Sequence, residues 1–240
     1  LALSTFFKTG TGIASCVLLP SAVETVIDGA DVRCELSTEY PFRGALKYTV
    51  KTDSPVKFSL FIRIPSFAKS AKIDGKAVKC GEFAEISKCW DGETEIYADL
   101  GFETEIVERP ENMVCVRRGP LFYSIPVKEK RERVEYVKNG VERKYPYCDY
   151  YIYPDSKWNF ALVDDRFEFF EHEFSMTFNP DNPPVSLMAD MVEIDWRFNC
   201  GHCDRLPVSA KPLGNIQKVQ LIPYGCTNLR MTEMPLVKND

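Results

Sequence analysis

Histidine is almost missing from this chain: only His172 and His202 occur among 240 residues. That scarcity thins the supply of proton carriers and metal ligands. An excess of positive charge is missing too. The net charge of −5 argues against a nucleic-acid partner, because phosphate binding needs a basic surface. No apolar run approaches the roughly 20 residues that span a bilayer as a helix, so no membrane segment is expected. Neither a Gly-rich phosphate loop, a Gly-x-Ser-x-Gly elbow nor a Ser/His/Asp arrangement is found. Leu1 to Lys8 carries no initiator Met and no signal-peptide layout, and reads as a cut inside a longer chain.

What the chain has in quantity is sheet-forming material. Sixteen Phe and eleven Tyr fit pleated, half-buried surfaces, and sixteen Pro suit turns better than helix interiors. The hydrophobic period is 2 nearly throughout. Leu46, Tyr48 and Val50 alternate with polar residues, as do Phe58, Leu60, Ile62 and Ile64. Shorter alternations follow at Phe83–Ile86 and Ile96–Ala98. Turn signals separate them: Asp53-Ser54-Pro55, Asp74-Gly75, Asp91-Gly92 and Arg109-Pro110. Asp74-Gly75 has the form of a two-residue hairpin turn. Helix is expected nowhere except for a turn or two at Leu1–Phe7. Many short strands at this spacing predict an all-β sandwich or barrel.

One composition shift divides the chain. The charge run Lys128 to Arg133, followed by Asn139-Gly140, predicts a solvated connector or hairpin. Beyond it the chain turns aromatic, from Tyr145, Tyr147, Tyr150, Tyr151 and Tyr153 through Trp158 and Phe160 to Phe178. These rings are expected to fill the core of a second β-unit; stacking on sugar rings is the alternative. Pro207 and Pro212 frame a linker before a last strand pair, Val219–Ile222 and Leu229–Thr232.

Candidate chemistry is sparse. Cys200-Gly201-His202-Cys203 has the spacing of a redox dithiol, which needs its first Cys at a helix N-terminus. Pro207 and Pro212 forbid a long helix there. As a zinc site the loop lacks a second Cys pair, and Cys226 or Cys148 could complete it only through the fold. Glu168, Glu171 and Glu173 beside His172 could suggest the paired carboxylates of a glycosidase, but a solvated strand face explains them more simply. Nine cysteines include several in strand-like runs, such as Cys34 and Cys115, where a free thiol acts as a small hydrophobe. Reduced thiols and a cytoplasmic setting are therefore expected.

Longer strings carry more information. They are Tyr40-Pro41-Phe42-Arg43-Gly44, Leu60 to Ala68, Ala71 to Gly75, and Gly81 to Ile86 followed by Trp90. Then come Val116-Arg117-Arg118-Gly119-Pro120-Leu121-Phe122-Tyr123, Lys157 to Leu162, and Leu221-Ile222-Pro223-Tyr224-Gly225-Cys226-Thr227-Asn228-Leu229-Arg230. Their order and spacing resemble the C-terminal region of glycoside hydrolase family 127, the β-L-arabinofuranosidase-like proteins of bacteria, from about Gly12 to Pro235. The resemblance implies an (α/α)6 catalytic barrel upstream, followed by two β-sandwich domains, the second inserted into the first. In those terms 1–12 is the remnant of the link from the barrel, 13–127 with 216–237 is the first sandwich, and 128–215 is the inserted second. It also implies a cysteine nucleophile at a zinc site with a glutamate acid/base, all in the barrel. The nucleophile of such proteins belongs to a Cys-Cys pair, which this sequence lacks, and Cys16 matches no catalytic position. No catalytic, cofactor or metal residue carries over. The expected role is a noncatalytic region that braces its own barrel and serves a carbohydrate-active parent, with a homodimer as the allowed oligomer. The alternatives are a carbohydrate-binding module and a thiol or zinc protein using the Cys200–Cys203 loop.

Overall fold

The computed structural model describes residues 4–199 and 201–237. Among them the regular structure is strand, broken only by short 3-10 turns such as Pro110–Asn112 and Tyr224–Cys226. The all-β class is therefore as the alternating pattern predicts. Ser4 still has 3-10 helical geometry and Phe6–Lys8 is a strand, so the helical turn allowed at Leu1–Phe7 does not extend past the first of its described residues. Leu1 to Leu3 lie outside the described residues.

Two compact units make up the chain: residues 1–103 with 118–120, and residues 104–117 with 121–240. The first unit holds β1 (Phe6–Lys8), β2 (Gly12–Ser15), β3 (Ser21–Ile27), β4 (Ala30–Thr38), β5 (Ala45–Arg63), β6 (Ser70–Ile73), β7 (Lys76–Ala77) and β8 (Phe83–Gly101). They form one sheet in the order β1-β2-β5-β8-β6-β7, with β4 also on β5 and β3 on β4. Alternation dictates each strand. In β4, for example, Ala30, Val32, Cys34 and Leu36 are buried while Asp31 and Arg33 are exposed.

The 19-residue strands β5 and β8 organise this unit. Asp53-Ser54-Pro55 and Asp91-Gly92 do not end strands, as the turn signals suggest. They bend two long ones. The antiparallel register jumps from Thr52↔Gly92 to Val56↔Trp90, so three residues bulge opposite one. Turn-forming residues suit such a bulge: Pro55 needs no ladder donor there, and Gly92 takes a φ of 65°. One half of β5 pairs with β4, the other runs parallel to β2. Core-facing parity survives the bend, because Leu46, Tyr48 and Val50 before it and Val56, Phe58, Leu60 and Ile62 after it are all even-numbered and all buried. The two halves of the folded sheet thus share one core. Two buried polar contacts tie it. Tyr48 Oη and Ser15 Oγ lie 2.9 Å apart, and Trp90 Nε1 donates to the Phe58 carbonyl at 3.0 Å while its ring stacks on Phe58.

The second unit holds β9 (Thr104–Arg109), β10 (Met113–Arg118), β11 (Leu121–Pro126), β16 (Phe160–Glu171), β17 (Val185–Glu193), β20 (Gln217–Pro223), β21 (Arg230–Met231) and β22 (Met234–Pro235) in one sheet, ordered β16-β17-β20-β11-β10-β22. Smaller ribbons pair β12 (Glu129–Val134) with β15 (Asp149–Pro154), β13 (Tyr136–Lys138) with β14 (Val141–Arg143), and β18 (Phe198–Asn199) with β19 (His202–Cys203). The charge run is thus a strand of a hairpin-like ribbon rather than a connector. The C-terminal strands do return to the stretch before that run, with β20 and β21 on β11 and β22 on β10. They do not pair with each other, since β11 takes Pro223 and Ile222 opposite Tyr123 and Ser124, and Met231 and Arg230 opposite Ile125 and Pro126.

Residues 104–117, 121–127 and 216–237 pack in the same compact unit as 128–215. The reason is non-local pairing: β20 hydrogen-bonds β17 on one side and β11 on the other, welding these segments into one sheet.

Candidate functional site

The sequence candidates come apart in three dimensions. His202 and Cys203 form strand β19, which pairs with β18, Phe198 lying opposite Cys203 and Asn199 opposite His202. No helix follows it. Asp204 closes it: its backbone N–H donates to Arg197, its carbonyl accepts the Trp196 Nε1–H at 2.7 Å, and its carboxylate accepts from Asn199 at 2.9 Å. Cys200 lies outside the described residues, and so does the geometry of the Cys200–Cys203 pair. Among the described residues no group of three or more His, Cys, Asp and Glu could hold a metal ion. They do not fit the zinc that the resemblance implies for a barrel.

The acidic cluster resolves into surface pairing. Glu168 lies on β16 and accepts from Lys218 of β20 at 2.8 Å, an exposed sheet-face ion pair worth little by itself. His172 lies just past β16 and shares a 2.8 Å hydrogen bond with Ser186 of β17. Glu171 belongs to β16 opposite Val185. The eight described cysteines are free. Burial pushes the Cys34 thiol up to about 12 and the Cys226 thiol up to about 11, as expected of thiols used for packing.

The informative strings turn out to be corners. Gly119, between β10 and β11, has a φ of 55°, and a Cβ there would approach the Phe102 ring to 2.8 Å. Arg117, on β10, pairs with Glu105, its Nε donating at 2.9 Å. In the last string Arg230 donates to the carbonyls of Thr227 and Asn228 and lies 3.5 Å over the Tyr224 ring. These residues hold turns through backbone conformation and local hydrogen bonds.

The aromatic segment splits. Phe160 and Trp196 are buried, and Trp158 packs edge-on against Trp196 and Phe198. The tyrosines do not follow them inside. Tyr145, Tyr147 and Tyr151 are 68%, 78% and 60% exposed, and Tyr153 is 40% exposed. The expectation that this run fills a core therefore fails for the tyrosines. They sit on the narrow β12–β15 ribbon and beyond it, where two strands cannot make an interior. Tyr151 and Tyr153 share one ribbon face, their rings 6.4 Å apart. At the ribbon's base a cleft of about 820 Å³ opens, lined from the flanks of β11, β12, β15, β16 and β20. Nothing in the linear sequence signals it beyond the charge run, because its walls come from segments up to a hundred residues apart.

Comparison with known proteins agrees with the fold. Residues 12–102 match the family model described as beta-L-arabinofuranosidase, GH127 middle domain. Among solved structures, a GH127 beta-L-arabinofuranosidase from Geobacillus stearothermophilus T6 is similar at 21% identity and a TM-score of 0.62, over 98% of this chain and 35% of its own. A protein titled glycoside hydrolase matches at 19% identity and 0.64, over 98% of this chain and 37% of its own. A GH127 beta-arabinofuranosidase matches at 15% identity and 0.57, over 94% and 35%. A comparison with curated proteins returns no match. At these identities the structural likeness speaks to fold, and the chain spans little more than a third of the enzymes it resembles. The matched family model is a middle domain and covers the first unit, whereas the sequence resemblance pointed to a C-terminal region.

Proposed function

We propose that this chain is a noncatalytic β-sandwich region of a GH127-type glycoside hydrolase, bracing a catalytic barrel that lies outside these residues. One observation carries the reading. Nearly all of the chain superposes on such enzymes while covering 35–37% of their length, and its sequence supplies no Cys-Cys pair. Its part in the parent is mechanical: it buries a flank of the barrel and holds the turns that present its own loops. The free cysteines support a reducing setting for that protein.

The purified chain is expected to release no chromophore from an aryl β-L-arabinofuranoside. Co-expressed with the remainder of its parent, it is expected to bind that remainder and to raise its melting temperature. Turnover by the chain alone, lost on heating, would refute the reading, as would failure to associate.

A further inference from the structure

The cleft at the base of the β12–β15 ribbon has a composition that selects its ligand. Its charged lining is Lys128, Lys157 and Lys218 against Glu129, Asp155 and Asp181. Three cations face three carboxylates, so the formal lining charge is zero. Two of the lysines are already engaged by carboxylates beyond the lining: Lys157 with Glu193, and Lys218 with Glu168 and Asp190. The Lys157 ammonium accordingly holds the Glu193 carboxyl below the usual carboxylate range. An anionic ligand would have to compete with these partners, and a cationic one would meet the three ammonium groups. What the cleft offers in abundance is hydrogen-bond donors and acceptors side by side, with Ser156, Gln220 and Thr227 adding neutral ones. Its volume lies within the usual range of small-molecule sites.

The cleft does not end at its own rim. The backbone N–H of Asp155 donates to the Lys128 carbonyl at 2.7 Å, continuing the β12–β15 ladder by one step. By the alternation of a strand, Tyr151, Tyr153 and Asp155 share one face, alongside Lys128, Lys130 and Glu132. Two neighbouring exposed rings thus lead into the polar cleft along a single face. An aromatic ring flanked by charged hydrogen-bonding groups matches a pyranose or furanose, whose C–H faces are apolar and whose edges carry hydroxyls. A neutral, hydroxyl-rich chain can satisfy both parts at once.

We propose that this face, from Tyr151 and Tyr153 into the Lys128–Asp155 cleft, binds a neutral oligosaccharide. The assignment goes beyond the bracing role and is independent of it: a chain that braces a barrel need bind no sugar.

The test is titration calorimetry of the whole chain with xylo- and arabino-oligosaccharides, and with oligogalacturonate as the anionic arm, up to about 10 mM ligand. Neutral oligosaccharides are expected to bind with little dependence on salt. Tyr153→Ala is expected to weaken binding roughly three- to tenfold, Tyr153→Phe to leave it nearly unchanged, and Asp155→Asn to weaken it about fivefold. These positions are on the surface, so thermal melts should match the unsubstituted chain. Three results would overturn the proposal: no neutral oligosaccharide bound, binding that Tyr153→Ala and Asp155→Asn leave intact, or preference for oligogalacturonate that fades with salt. None of them touches association with the barrel, which is measured separately.

Discussion

The buried contact between Tyr48 and Ser15 tests the folded-over sheet directly. Ser15 lies on β2, beside the second half of β5, whereas Tyr48 lies on its first half. They meet only because the Thr52/Val56 bulge turns one half of the sheet over the other. Both residues are fully buried and their oxygens are 2.9 Å apart. Tyr48→Phe removes one hydroxyl without changing the shape of the ring and strands the other, as Ser15→Ala does in reverse. Leaving one buried polar group unsatisfied costs about 1–3 kcal/mol, while removing both partners is far cheaper. Each single substitution should therefore destabilise the first unit by about 1–2 kcal/mol, and the double one by less than the sum, with a coupling of about 1 kcal/mol or more. Urea denaturation followed by circular dichroism, read as shifts in midpoint for the single and double variants, measures these losses. Additive costs, with no coupling, would mean that the two strands do not face each other, and the account of the bend would be wrong.

Three other outcomes are expected. Burial raises the Cys34 thiol from 9.0 to about 12, so the unfolded chain loses this proton first. The stabilisation is complete below about pH 9 and declines as pH rises toward 12, by at most about 1.4 kcal/mol per pH unit. A Cys34→Ala variant should show a flatter alkaline limb in its stability profile, and an unchanged slope would refute the role of this thiol. Gly119→Ala should cost about 1–3 kcal/mol, since the left-handed backbone is strained for alanine and the new Cβ meets the Phe102 ring; a melting temperature equal to that of the unsubstituted chain would contradict this packing. Trp90→Phe removes the indole donor to the Phe58 carbonyl and leaves a partial cavity, so a loss of roughly 2–4 kcal/mol is expected in urea denaturation followed by circular dichroism.

Much of the first unit was legible because its signals are local. Alternation at Val32-Arg33-Cys34-Glu35-Leu36 appears as alternating burial along β4. Asp74-Gly75 forms the expected hairpin turn, with φ values of 46° and 77°. The same logic misread Asp53-Ser54-Pro55 and Asp91-Gly92, since residues that break a strand also bend one, and only the partner strand decides which. The tyrosines misled for a related reason. Tyr151 and Tyr153 have the period of a half-buried strand, but burial needs a second layer, and the β12–β15 ribbon has none of its own.

The all-β class, most strand positions and the scarcity of catalytic motifs are properties of the sequence alone, because backbone alternation and residue chemistry need no distant partner. Tertiary structure decided the rest. It placed β20 between β11 and β17, drew the unit boundary near residue 103, and set Lys128 and Asp155 beside Lys218 and Asp181. Those outcomes depend on pairing between segments tens of residues apart, where hydrogen bonding and buried area, not local preference, choose the neighbour.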